Sequence, residues 1–134
     1  MSNNTVRIGL IGAGGIAGAH VEGYLRNPDT ITFAAVADPV RESAEKRAEA
    51  TGAAIYADYR TMLAEADIDA VDICLPHHLH KDAIVAAARA GKHILCEKPL
   101  CLTAEEAAEV SAAVEQAGVT LMCAHNQLFL PAVA

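Results

Sequence analysis

The stretch that most constrains this chain is VRIGLIGAGGIAGAHVEGYL, residues 6 to 25. Val6 to Ile11 is an uninterrupted apolar run, the pattern of a strand buried on both faces. It stops at Gly12-Ala13-Gly14-Gly15-Ile16-Ala17, a G-x-G-x-x-A turn, and a helix-forming run follows. Each small residue has a physical role there. Gly12 permits a tight turn off the strand, Gly14 lets a pyrophosphate approach the backbone, and Ala17 lets the new helix lie close on the sheet. The free N–H groups around Gly15 and Ile16 then face an anion along the favourable end of the helix dipole. A glycine triplet alone is a weak signal. With a strand before it, a helix after it and an acid downstream, it predicts a dinucleotide-binding turn.

That acid is Asp38. ITFAAVAD, 31 to 38, reads as a second buried strand, and its terminal carboxylate stands 24 positions beyond Gly14. This is close to the ~20-residue offset expected of a ribose-binding acid. A carboxylate there accepts from the adenosine ribose hydroxyls and repels a 2′-phosphate, which favours NAD over NADP. Arg41, three residues on, points the other way, because an arginine at this position can receive a phosphate. A helix-capping role for Asp38 ahead of Pro39 is compatible with the ribose role.

The rest of the chain alternates strand and helix patterns. Residues 40–51 form a charged, alanine-rich helix facing solvent, ended by Gly52. AIYAD is a short third strand and YRTMLAEAD a brief helix. Tyr56 and Tyr59 read as packing residues. DAVDICLP, 69 to 76, is the fourth strand, with Val71, Ile73 and Leu75 apolar and Pro76 as its stop. His77-His78-Leu79-His80 opens the next helix. Three histidines invite a metal, but no carboxylate or cysteine completes beside them the three or four ligands that zinc takes. The loop instead lines the crevice beyond the carboxyl ends of the strands. KHILCEKPL, 92 to 100, is the fifth strand and its exit. Lys98 there either faces the crevice, where it can hydrogen-bond a hydroxyl or donate a proton, or belongs to a surface Lys–Glu pair of little consequence. Pro99 fixes the backbone beside it. Thr103-x-x-Glu106 is a capping box for the helix that ends at Gly118, and a sixth strand spans 119–124. The predicted fold is α/β, a doubly wound parallel sheet (the Rossmann fold) in the order 3-2-1-4-5-6.

Composition narrows the partners. The chain has 134 residues and a formal charge of −7, with 53% hydrophobic and 4% aromatic residues. This is enough for one packed core built from Ala, Val, Ile and Leu. The negative charge disfavours nucleic acid and anionic membrane. No apolar run approaches the ~20 residues of a membrane span, and the start MSNNTVRIG has no signal-peptide pattern, so a cytoplasmic location is expected. The cysteines at 74, 96, 101 and 123 form no C-x-x-C pair, and Cys74, Cys96 and Cys123 read as small buried thiols.

Taken together, GAGGIAGAH, AD at 37–38, CLPHHLH at 74–80, AGKHILCEKPL at 90–100 and HNQLFLP at 125–131 resemble the Gfo/Idh/MocA oxidoreductases. The resemblance covers essentially the whole chain, and AGKHILCEKPL is its most specific piece. It implies oxidation or reduction of a sugar, cyclitol or related polyol with NAD(P). It also implies that Gly12, Gly14, Gly15 and Ile16 cradle the pyrophosphate and Asp38 holds the ribose. Leu75, Pro76 and His77 would line the nicotinamide side. Glu97 and Lys98 would approach the nicotinamide ribose and the reacting carbon, with Lys98 polarising the substrate hydroxyl. Asn126 matches a position near the nicotinamide. Leu128 departs from the family, which commonly has Arg there. Residues 1–124 are then expected to be the NAD(P)-binding domain. Residues 125–134 would begin the connection to a C-terminal α/β domain that is missing here, and the chain alone would bind cofactor without turnover. A non-catalytic NAD-binding or sensor module is the alternative. Self-association through Phe129, Leu130 and Val133 is a further expectation, making a homo-oligomer possible.

Overall fold

The computed structural model describes residues 5–98, 100 and 103–124. Pro99, Cys101, Asn126 and the apolar residues 128–133 named above lie outside them. The strands are β1 (Val6–Ile11), β2 (Ile31–Ala37), β3 (Ala54–Tyr56), β4 (Ala70–Ile73), β5 (His93–Glu97) and β6 (Leu121–Ala124). The helices are α1 (Ala17–Leu25), α2 (Arg41–Ala48), α3 (Tyr59–Glu65), α4 (His80–Arg89) and α5 (Ala104–Ala117). All strand pairs are parallel and the order is β3-β2-β1-β4-β5-β6, as the alternating pattern predicts.

Two apolar layers cover the sheet, and the strand period of two assigns residues to them, except where the β1–β2 register shifts at Ala34 and puts Phe33 and Ala35 on opposite faces. Leu10, Val36 and Phe33 pack with Val21, Tyr24, Ala44 and Ala48 under α1 and α2. Ile11, Ala35, Val71, Ile73 and Ile94 pack with Met62, Ile84, Ala87 and Val110 under α3, α4 and α5. The alanines let the helices sit close and compensate for the shortage of aromatics. Tyr56 and Tyr59 are half-buried against the second layer, in the packing role expected of them.

Local signals explain the helix ends. The Glu106 amide donates to Thr103 Oγ1 at 3.0 Å, the predicted N-cap of α5, and Gly118 ends that helix in the left-handed region. The charged helix is shorter than its sequence pattern, Arg41–Ala48, and Gly52 closes it from φ +70° with its amide on the Ala48 carbonyl. Among the described residues, no helix is long and apolar enough to cross a membrane.

The chain leaves β1 toward β2 and β3, then returns past β1 to β4, β5 and β6. The carboxyl ends of β1 and β4 therefore meet where the winding reverses, and in such a sheet a crevice opens there.

Candidate dinucleotide site

The crevice begins at Gly12. Its φ is +93°, and a Cβ placed there would stand 2.7 Å from the carbonyl oxygen of Cys74. No other residue type tolerates both the backbone angle and that approach. The Gly12 amide donates to the Ala37 carbonyl at 2.9 Å, and the Cys74 amide to the Ile11 carbonyl at 2.7 Å. These bonds join the exits of β1, β2 and β4. Beyond Gly12 the surroundings change. A Cβ at Gly14 or Gly15 would meet nothing within 4 Å. The amides of Gly14, Gly15 and Ile16 find no acceptor among the described residues, while the carbonyls of all three accept from the first turn of α1. The loop thus presents free donors at the positive end of a helix to open space, the chemistry a diphosphate needs.

Asp38 lies one residue past the end of β2. Its Oδ2 accepts from the Ala13 amide at 2.8 Å and its Oδ1 from the Val40 amide at 2.7 Å. The carboxylate therefore joins the glycine-rich loop to the entry of α2. Each oxygen keeps a lone pair for a hydroxyl in front of it. A cleft of about 550 Å³ opens there, lined by Asp38, Pro39, Tyr59, Leu75, Pro76 and Leu79 among others. Leu75 and Pro76 thus share a wall with Asp38. His77 is exposed in a 3-10 turn, His77–Leu79. His80 is fully buried and its Nε2 donates to the Leu75 carbonyl at 2.8 Å, pinning the exit of β4.

The two arginines of α2 divide differently from the sequence expectation. Arg41 is exposed and pairs with Glu45 on its own helix at 2.8 Å. Arg47, in the segment read as solvent-facing, turns inward instead. Its Nε donates to the Ala13 carbonyl at 3.1 Å and its Nη2 to the Gly14 carbonyl at 2.9 Å. With Asp38 it holds the loop, and nothing in the helical pattern distinguishes it from Arg41 or Lys46.

At the other strand exit, Lys98 is exposed directly after β5. Glu97 is turned under the sheet toward α1, where its Oε1 lies 2.5 Å from His20 Nε2. His20 Nδ1 lies 2.6 Å from Asp72 Oδ2, and Tyr24 donates to the same oxygen. The Cys74 thiol approaches Asp72 Oδ1 at 3.8 Å. The hydrogen bond to Asp72, then the Cys74 sulfur, raise the His20 pKa from 6.5 to about 11 against the opposing effect of burial. Burial, then the Asp72 charge, push the Tyr24 phenol up, and burial pushes the Cys74 thiol up to about 11. No motif in the sequence marks this cluster. Its signal was Asp72, a carboxylate on a strand that is buried throughout, which cannot be sealed from water without partners.

A parallel sheet wound in this order, with free amides after β1 and an acid after β2, defines the class of dinucleotide-binding α/β domains. Residues 6–125 match the model of the Gfo/Idh/MocA family, described as an oxidoreductase family with an NAD-binding Rossmann fold, and the chain belongs to that family. It is 42% identical over 127 residues to an inositol 2-dehydrogenase of Rhizobium meliloti, covering 95% of this chain and 38% of that protein. It is 40% identical over 125 residues to a D-xylose 1-dehydrogenase (NADP(+)) of Haloferax volcanii, covering 91% and 38%. Among solved structures, the WlbA dehydrogenase of Bordetella pertussis, in complex with NADH and UDP-GlcNAcA, superposes with a TM-score of 0.86 at 28% identity, covering 93% of this chain and 40% of that one. The chain thus spans well under half the length of these relatives.

Proposed function

We propose that this chain is the cofactor-binding part of an NAD-dependent oxidoreductase acting on a sugar, cyclitol or related polyol. The observation that carries the reading is the free amide row of Gly14, Gly15 and Ile16 beside a carboxylate, Asp38, fixed by two backbone amides. The loop amides bind the diphosphate, with Gly12 setting the turn that aims them. Asp38 accepts from the adenosine ribose and disfavours a 2′-phosphate, so NAD is preferred over NADP. Arg41 is engaged with Glu45 and contributes no phosphate site in this arrangement. Leu75, Pro76 and His77 form the wall after β4, and Lys98, exposed directly after β5, belongs to the nicotinamide end, while the Glu97 carboxylate is taken up by His20. When bound, the nicotinamide supplies hydride acceptance and donation. This chain's residues bind and orient it, and Lys98 Nζ holds or moves the proton of the substrate hydroxyl.

Residues 1–124 are assigned to the dinucleotide-binding unit. The dehydrogenase names of the relatives support the enzyme reading over a sensor module. Isothermal titration tests the reading. One NADH per chain is expected, with NADPH binding at least tenfold more weakly, a discrimination of about 1.4 kcal/mol. Absence of binding by either nucleotide contradicts the reading.

A further inference from the structure

The His20 cluster lies beneath the site and none of the roles above uses it. It joins three elements at one ring. His20 is on α1, one turn beyond the loop amides; Asp72 is on β4; Glu97 is the last residue of β5, next to Lys98. The His20 side chain is 10% exposed, Asp72 1% and Glu97 13%.

The geometry fixes the protonation. Carboxylates are acceptors only, and a neutral imidazole has one N–H. Acceptors stand 2.6 Å from Nδ1 and 2.5 Å from Nε2, so both ring nitrogens donate and the ring is an imidazolium. The groups facing it are Asp72 on β4, Cys74 directly after that strand, Glu97 on β5 and Tyr24 on its own helix. The phenol donates to Asp72, the thiol is protonated, and the single cation lies between two anions. A charge-assisted bond at each end makes this a directional tie rather than loose packing.

We propose that His20 is a positioning residue: by bridging Asp72 and Glu97 it fixes the carboxyl end of β5, and with it Lys98, relative to the helix that presents the diphosphate amides. The inference rests on the dinucleotide reading above. Its consequence is one-sided. Asp38 puts the adenosine half of the cofactor over β1 and β2, and the second half of such a ligand lies across the switch point, over β4 and β5. Loss of the bridge therefore loosens the nicotinamide half and leaves the adenosine half alone.

Two measurements on the purified chain decide this. The first is ¹⁵N NMR of the histidine rings between pH 6 and 9. Both His20 nitrogens are expected to be protonated throughout. A neutral tautomer overturns the bridge, as does stoichiometric zinc in metal analysis, since His20 Nδ1, an Asp72 oxygen and Cys74 Sγ lie within 4.8 Å of one another. The second is titration of His20→Gln with NADH and with ADP-ribose, which lacks the nicotinamide. The Kd for NADH is expected to rise about tenfold, the worth of one hydrogen bond to a charged group, with ADP-ribose changing less than about twofold. Equal loss for both ligands, or no loss for either, overturns the proposal. Glu97→Gln leaves the His20–Asp72 pair in place and weakens only the arm to β5. It should show the same split if His20→Gln fails to fold. If the unaltered chain binds neither ligand, the dinucleotide reading falls and the positioning role with it, whereas the NMR result still reports on the ring by itself.

Discussion

The Asp38 carboxylate accepts the Ala13 amide at 2.8 Å, so the acid after β2 holds the loop after β1 before any ligand arrives. The residue proposed for the ribose is thus also a brace for the loop proposed to hold the diphosphate. Asp38→Asn keeps the size and removes the charge. The expected result is a 10- to 100-fold rise in the Kd for NADH, the worth of about 1.5–3 kcal/mol for hydrogen bonds to a charged group. The Kd for NADPH should change far less, because the repulsion of its 2′-phosphate is removed at the same time. Paired fluorescence titrations of the two nucleotides check this.

Arg47 braces the same loop from the other side, with two donors on consecutive carbonyls. Arg47→Met preserves most of the stem packing and deletes both bonds. It should weaken NADH, ADP-ribose and AMP alike, by roughly three- to tenfold, since the loop and not the nicotinamide end is loosened. It should also lower stability by about 1–2 kcal/mol in chemical denaturation. A loss confined to NADPH would assign Arg47 to phosphate recognition instead.

The charged state of His20 couples folding to alkaline pH. Its pKa is 6.5 in the unfolded chain and about 11 in the fold, with the Asp72 hydrogen bond as the leading cause. A raised folded pKa means that the stabilisation is complete below 6.5 and is eroded as pH climbs toward about 11. Between those limits the native state holds the extra proton, so stability falls with rising pH, by up to about 1.4 kcal/mol per unit from this group. Urea denaturation at pH 6, 8 and 10, compared with His20→Gln, isolates the contribution. The variant should be less stable by about 3 kcal/mol at pH 6, where Asp72 loses its cation, and should show a flatter dependence.

What the sequence discloses follows from how local the physics is. The β1 run, the glycine turn and the start of α1 are contiguous, and each step constrains its neighbour, so the turn was legible. The sheet order follows from alternation and handed crossovers. The Thr103 cap was legible because its partner amide is three residues away. Asp72 and His20 are 52 positions apart, and Glu97 and His20 are 77 apart. Their meeting depends on α1 crossing β4 at one height, which no periodicity encodes. Asp72 alternates with Val71 and Ile73 on the strand, so it faces α1 while they face α4. Read as a string, β4 shows one carboxylate among apolar residues, which marks Asp72 but does not name its partners. Arg47 was illegible for a different reason. Ala44 and Ala48 carry the buried stripe of α2, and Arg47 lies at its edge, where only the fold decides between solvent and loop.

The central claim is that a dinucleotide diphosphate rests on the amides of Gly14, Gly15 and Ile16. The direct measurement is a ¹H–¹⁵N NMR titration of the chain with NADH, following every backbone amide. The largest saturable shifts should fall on Gly14, Gly15 and Ile16, with Ala13 and Val40 following through Asp38. Shifts confined to another surface, or none at saturating nucleotide, would contradict it.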